Sequence, residues 1–245
     1  MATDTGALAP GATDAVHLEA VGHRYGDVQA LDGVTLRIEP GAVVAVVGPS
    51  GCGKSTLLDI VCGLIAPSCG RVAAPRAVLM PQRDQLLPWL TALDNAALAL
   101  RVAGASRAEA RQVSRPLLEE RGLAGFEHQR PDALSGGMRQ RVAFARTLLA
   151  GAPVLCLDEP FGALDAITRA ETQAWLAAAL QREPRTVLLV THDVEEAVLL
   201  ADTVVVLSPR PGRVLTTIAI DLPRPRRATD PGVVALRARA LAAMG

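Results

Sequence analysis

The chain has 245 residues, half of them hydrophobic, and 25 basic residues balance 25 acidic ones for a formal net charge of zero. That length and hydrophobic content suit one large domain, or a core with a small subdomain. Charge balance argues against a chain built to grip nucleic acid by its phosphates, and an aromatic content of 2% leaves no base-stacking platform.

The opening MATDTGALAP lacks the basic and apolar regions of a secretory signal, and 1–15 reads as a short flexible tail. From 16 to 38 the pattern predicts two short strands around a turn, with period-2 alternation in VTLRI. AVVAVVG, 42–48, is a continuous β-branched run of the kind buried on both faces of a parallel sheet. A Gly-rich loop follows, and KSTLLDIVCG predicts a helix that Gly63 terminates. From about 84 to 134, Ala, Leu and Arg recur at helical spacing, which predicts a helical insertion. SGGMRQRVAFARTLLA predicts another helix, stopping at Gly151. VLCL, 154–157, is a buried strand ending in Asp158-Glu159-Pro160. A helical stretch, 164–182, separates it from TVLLV, 186–190, which ends in Thr191-His192-Asp193. LSPRPGRVLTTIAIDLP reads as a turn with flanking strands, and a Pro/Arg-rich linker and short final helix close the chain.

Strands alternating with helices predict an α/β fold with a parallel sheet. Polar residues gather where those strands end, the edge at which such sheets bind ligands. The nearest approach to a membrane span, AVLLADTVVVL at 197–207, is short and interrupted by Asp202, so no segment is expected to cross a bilayer. Cys52, Cys62, Cys69 and Cys156 show no metal-ligand spacing and read as reduced thiols.

Gly48-Pro49-Ser50-Gly51-Cys52-Gly53-Lys54-Ser55 matches G-x-x-x-x-G-K-[ST] in full, between a predicted buried strand and a helix, with Thr56 following. Glycines let backbone N–H groups turn inward as an anion nest, and the helix aims its positive end at the same point. Lys54 then reaches the β- and γ-phosphates, and the Ser55 hydroxyl is placed for Mg2+. Lys54 is the single lysine among the 25 basic residues. A compact ammonium on a flexible stem enters a crowded nest where a planar guanidinium does not. Asp158, closing an apolar strand, suits the Mg2+ shell, and Glu159 projects to where water would attack the γ-phosphate. His192 has the position to orient that water, and Gln82, after the apolar AVLM, to sense metal or water. Each also has a plainer reading: a strand-to-loop turn, a polar cap, a surface glutamine. Cys52 stands near a helix N-terminus that lowers thiol pKa, so alkylation is expected to block turnover of the bound nucleotide and the nucleotide to protect; its plainer reading, a tolerated small residue with no redox role, is the favoured account of why it is there.

At LSGGM, 134–138, the chain resembles the ATP-binding subunit of an ABC transporter, and the resemblance covers about 16–230 with its motifs in family order. It implies a P-loop NTPase (RecA-like) core with a small N-terminal antiparallel β-subdomain and a helical insertion, in one ABC ATPase domain. The core would be 16–83 and 136–222, the helical subdomain 84–135 and a C-terminal extension 223–245, too short for a regulatory domain. It implies that Tyr25 stacks on adenine and that Gln82 is the Q-loop residue. Ser135, Gly136 and Gly137 match the signature, Asp158 and Glu159 the Walker B aspartate and catalytic glutamate, Asp165 the D-loop and His192 the switch histidine. Ser135 can cap a helix that presents its N-terminus and two glycines to an anion; in the family that anion is the γ-phosphate held by the opposite subunit. Met138 and Gly162 depart from the family's usual Gln and Ser. The stretch from Gly70 to Gln82 is short, which implies a trimmed β-subdomain.

RDQLLPWLTALDNAALAL, LDEPFGALDAITR and VTHDVEEAVLLADTVVVLSPRPGRV resemble the nitrate/sulfonate/taurine group of bacterial importers, which also includes carriers of pyrimidine thiamine precursors. The resemblance implies ATP and Mg2+ as cofactors, the metal held by Ser55, Gln82 and Asp158, and Glu159, His192, Gln82 and Lys54 as catalytic residues. It implies a homodimer at the cytoplasmic face of the membrane, two integral permease subunits, an extracytoplasmic solute-binding protein and no nucleic acid. The permease contact would lie near Gln82 to Trp89, with Trp89 either an interface anchor or a buried aromatic. A soluble ABC-type ATPase acting on DNA or ribosomes is the competing reading, against which stand the lack of a long coiled-coil insertion and of a second cassette.

Overall fold

The computed structural model describes residues 15–162, 164–182 and 184–244. The expected tail therefore lies outside the described residues, apart from Ala15, which is buried. In chain order the elements are β1 (Val16–Tyr25), β2 (Val28–Ile38), β3 (Val43–Val47), α1 (Lys54–Val61), β4 (Cys69–Ala73) and β5 (Ala77–Met80). The helices α2 (Ala92–Ala96), α3 (Leu98–Val102), α4 (Arg107–Glu120) and α5 (Gly136–Leu149) follow. Then come β6 (Val154–Asp158), α6 (Ala166–Arg182), β7 (Thr186–Thr191), α7 (Val194–Leu200), β8 (Thr203–Leu207), β9 (Val214–Ala219) and α8 (Pro231–Ala242).

The strands make two sheets. One is antiparallel, in the order β2-β1-β4; the other runs β5-β6-β7-β3-β8-β9. In the second sheet every pairing is parallel except β8 with β9. The two-residue period of a strand divides its side chains between two apolar layers. Val43, Ala45 and Val47 of β3 enter one layer, with Leu155 and Leu157 of β6 and Val187 and Leu189 of β7. Val44, Val46, Val154, Cys156, Leu188 and Val190 enter the other, against α1 and the antiparallel sheet. Both faces being covered, β3, β6 and β7 are buried along their whole length, which is why they read as unbroken apolar runs.

The helical stretch shares that core. Leu93, Leu118, Leu123 and Leu134 join the same buried cluster as Val43 and Leu155. Asn95, fully buried, fixes the approach to α2: its side-chain amide donates to the carbonyls of Leu87, Leu90 and Thr91, and its Oδ1 accepts from Leu87 N–H. Ser106 and Glu109 form a reciprocal capping box at α4. Among the described residues no helix is long and apolar enough to cross a membrane. Two strands had no sequence expectation. β4 carries Gly70 and Arg71 and is mostly exposed, and β5 is the four-residue edge strand made by AVLM.

Candidate functional site

Four parallel strands deliver polar residues to one edge of the large sheet. β3 runs into the loop 48–53, β5 leads to Gln82, β6 ends at Asp158 with Glu159 next, and β7 ends at Thr191 with His192 next. The loop enters α1 through Gly53, whose φ is 102° and where a Cβ would stand 2.6 Å from Leu31 Cδ2 and 2.7 Å from the Ala30 carbonyl. Glycine alone meets both demands.

A cleft of about 320 Å3 opens at this edge. Tyr25, Val28 and Ala30 wall one side; Ser50, Gly51, Gly53, Lys54, Ser55 and Thr56 form the floor; Gln82, Asp158 and Glu159 stand around it, together with Arg210. Tyr25 ends β1, is half-exposed and meets the His23 ring edge-on at 4.5 Å. Lys54 is buried, and its Nζ donates to the carbonyls of Gly48 and Pro49 at 2.8 and 3.1 Å. Those are contacts that a stronger acceptor in the nest would displace.

Asp158 is buried beside the cleft floor. Burial pushes its carboxyl above the usual range; the Ser55 hydroxyl bonds to it and opposes the rise, Glu159 adds to it, and Lys54 opposes it. A buried carboxylate with a hydroxyl against it, incompletely neutralised by the chain, is a hard oxygen donor set that fits Mg2+.

Glu159 is one of three non-glycine residues with positive φ among the described residues, at 45°. Its N–H donates to Val190 O at 2.8 Å, Gly162 N–H donates to its carbonyl at 3.1 Å, and the buried Gln140 side chain holds Pro160 O at 3.0 Å. Such a conformation costs about 1–3 kcal/mol and is kept where the surroundings enforce it. The carboxylate it presents is held at both oxygens. Gln82 Nε2 donates to Oε2 at 3.0 Å, and His192 Nδ1 lies 3.1 Å from Oε1.

Ser135, Gly136, Gly137 and Asp165 do not line this cleft. Ser135 caps α5, its hydroxyl accepting from Met138 N–H at 3.2 Å. Met138 itself packs on the apolar core. Asp165 caps α6 through the N–H groups of Ile167 and Thr168. The signature helix also grips the segment after Gln82: Arg139 pairs with Asp84 at 3.0 Å, and Arg146 donates to the carbonyls of Asp84 and Gln85.

One expectation is overturned. Cys52 does not present a low-pKa thiol: it is 1% exposed and is not part of the cleft lining. Burial pushes its thiol up, outweighing Lys54 and the backbone N–H groups that favour the thiolate. Gly48 and Pro49 also lie outside the lining. The sequence reading missed Arg210, Val28 and Ala30. Val28 and Ala30 are apolar strand residues like any others, and Arg210 sits in a turn whose PRPGR string signals a bend but not its direction.

The family model of ABC transporters matches residues 31–162. A putative ATP-binding protein of Brucella abortus (strain 2308) is 48% identical over 212 residues, which are 83% of this chain and 82% of that protein. An aliphatic sulfonates import ATP-binding protein, SsuB, of Yersinia pestis bv. Antiqua is 47% identical over 92% of this chain and 84% of its own, and one of Rhodococcus jostii is 47% identical over 89% of each. Among solved structures, the dimeric ATP-binding cassette MJ0796 in a post-hydrolysis state with ADP and Pi superposes with a TM-score of 0.77 at 30% identity, over 84% of this chain and 99% of that one. The family match, the relatives and the cassette fold agree: this chain belongs to the ABC transporter family and is its ATP-binding, ATP-hydrolysing cassette.

Proposed function

We propose that this ATPase powers uptake of a small organic anion of the aliphatic sulfonate class. It would act as a homodimer beneath two integral membrane permease subunits at the cytoplasmic face, with an extracytoplasmic binding protein delivering the solute and no nucleic acid involved. The 47% identity to the Yersinia pestis sulfonate import protein over 92% of this chain supports the solute class. Trp89, 66% exposed on the loop that Asn95 fixes, supports a docking surface for a membrane partner beside Gln82. In this reading 16–83 and 136–222 are the core, 84–135 the helical subdomain and 223–245 an extension.

The observation that carries the mechanism is the Glu159 carboxylate bracketed by Gln82 and His192 above the Lys54 loop. Lys54 exchanges the Gly48 and Pro49 carbonyls for phosphate oxygens, and the exposed Tyr25 ring stacks on adenine. Ser55, Asp158 and Gln82 would hold Mg2+, whose charge supports phosphate bound beside two carboxylates. Glu159 takes the proton of the attacking water as general base, while Gln82 and His192 fix its orientation. Ser135, Gly136, Gly137 and Asp165 serve the cleft of the second copy.

Glu159→Gln is isosteric and cannot accept that proton. It is expected to retain ATP binding and to lose turnover by about 100-fold or more; hydrolysis at the wild-type rate would remove Glu159 from this role. For the solute, the complex reconstituted with its permease and binding protein is expected to show ATPase stimulated by an alkanesulfonate. Stimulation by nitrate or a pyrimidine thiamine precursor instead reassigns it.

A further inference from the structure

The turn between β8 and β9 is docked on two sides of the cleft. Gly212 N–H donates to Ala30 O at 2.9 Å, Asp32 N–H donates to Gly212 O at 3.0 Å, and Arg213 Nε donates to Asp32 at 2.8 Å. These bonds tie the turn to β2. Ser208 staples the turn internally: its hydroxyl lies 2.8 Å from the Pro211 carbonyl and accepts from Arg213 N–H at 3.0 Å. On the other side Gly212 presses on the phosphate loop, where a Cβ would stand 2.1 Å from the Cys52 carbonyl. Only glycine permits that approach. The turn cannot shift without moving β2 or the phosphate loop.

This fixed turn carries Arg210 into the cleft that also holds Lys54 and Tyr25. Among the described residues no hydrogen bond or ion pair occupies its guanidinium, although carboxylates stand in the same cleft. Arg213, Arg139 and Arg224 are taken up by Asp32, Asp84 and Asp202; what sets Arg210 apart from the chain's other exposed arginines is its place in the lining of this cleft. A planar cation with five donors, exposed in the cleft that the phosphate loop floors and unpaired among the described residues, matches a phosphate group.

We propose that Arg210 is a nucleotide-binding residue, its guanidinium contacting a phosphate of the bound nucleotide from the β2 side of the cleft. That side carries Tyr25, Val28 and Ala30, so the contact falls toward the nucleoside end, on a phosphate that ATP and ADP share. The inference rests on the nucleotide reading of the cleft and goes beyond it by adding a second cation to Lys54.

Calorimetric titration of the wild-type chain with Mg-ATP and with ADP tests the two apart. Absence of any binding to wild type defeats the nucleotide reading itself. With wild-type binding in place, Arg210→Ala is expected to weaken ATP and ADP equally, by about 10-fold, with KM rising more than kcat falls. Arg210→Lys recovers part of the loss, and salt near about 0.5 M shrinks the gap between wild type and Ala. Unchanged affinity in Arg210→Ala overturns the proposal, and so does a loss confined to ATP, which moves the contact to the γ-phosphate.

Discussion

Glu196 sits in the first turn of α7, 5% exposed, with one oxygen accepting the Thr191 hydroxyl at 2.5 Å and the other buried with no hydrogen-bond partner among the described residues. Burial pushes its carboxyl up to about 7; the Thr191 hydroxyl opposes this, Asp193 adds to it, and Arg169 and His192 oppose it. An unfolded glutamate titrates near about 4.3. Below that value both states hold the proton and the group costs nothing. As pH rises from there through about 7, the unfolded chain releases its proton first, so the folded state loses stability, by about 4 kcal/mol in total. Glu196→Gln keeps the shape and an acceptor for Thr191 without the titration. Urea unfolding across pH 5 to 8.5 is expected to find the variant close to wild type at the acid end and more stable at the alkaline end; identical pH slopes would refute this. Nothing in VTHDVEEAVLL distinguishes Glu196 from Glu195 as a sequence, yet Glu195 pairs with Arg237 at the surface. The residues that do announce themselves are those whose chemistry demands a type at a spacing, such as Lys54 and Ser55. Cys52 shows the limit: its proximity to a helix N-terminus is visible in the string, but its burial is not.

At the scale of elements, the parallel strands and capped helices were legible because each is specified by its own residues. Apolar β-branched runs make β3, β6 and β7, and Ser135 starts α5 through its own hydroxyl. What joins elements was not legible, because it depends on pairs far apart in sequence. The β4 edge strand exists through its register with β1, His17 opposite Ala73 and Gly22 opposite Cys69. The helical stretch is held by Asp94, which is nearly buried in α2 and takes bidentate bonds from both Arg107 and Arg111 of α4. The Arg111 bonds hold its carboxyl well below the usual range despite burial, with Arg107 adding to the effect. Asp94→Ala leaves two guanidinium groups facing each other without their anion. It is expected to cost about 2 kcal/mol of stability, discounted because Arg107 is itself 60% exposed at the side chain. Urea unfolding at neutral pH measures it, and a change below about 0.5 kcal/mol would mean the clasp carries no net weight.

At the scale of the whole molecule, the proposed dimer makes each chain hold half of two sites. The cleft gathers the Lys54 loop, Glu159 and a metal-competent carboxylate, while a second helix N-terminus, at Ser135 and Gly136, lies outside its lining. A helix N-terminus favours anions, and a second copy carrying ATP supplies one. Gly136 allows the two halves to be separated by a single change. A Cβ there meets nothing nearer than Arg139 Nη2 at 3.8 Å, so Gly136→Asp fits without moving the backbone. Within one chain an acidic residue in the first turn of α5 suits the helix dipole and is worth about 0.3–1 kcal/mol of added stability. Replacing a helical glycine works in the same direction. Across the proposed interface the same carboxylate would face the γ-phosphate of the partner's ATP and repel it. Gly136→Asp is therefore expected to unfold no earlier than wild type and to bind ATP with wild-type affinity as a monomer. The Glu159→Gln chain is expected to form an ATP-dependent dimer by size-exclusion chromatography with light scattering, and adding Gly136→Asp is expected to abolish it. In the otherwise wild-type chain it removes ATPase activity. A Gly136→Asp, Glu159→Gln chain that still dimerises with ATP would place the signature helix outside the interface. A variant that loses nucleotide affinity as a monomer would place it in its own chain's cleft. Either result would undo the proposed two-chain site, because the physical case for it is that this helix N-terminus favours an anion and lies outside the lining of its own chain's cleft.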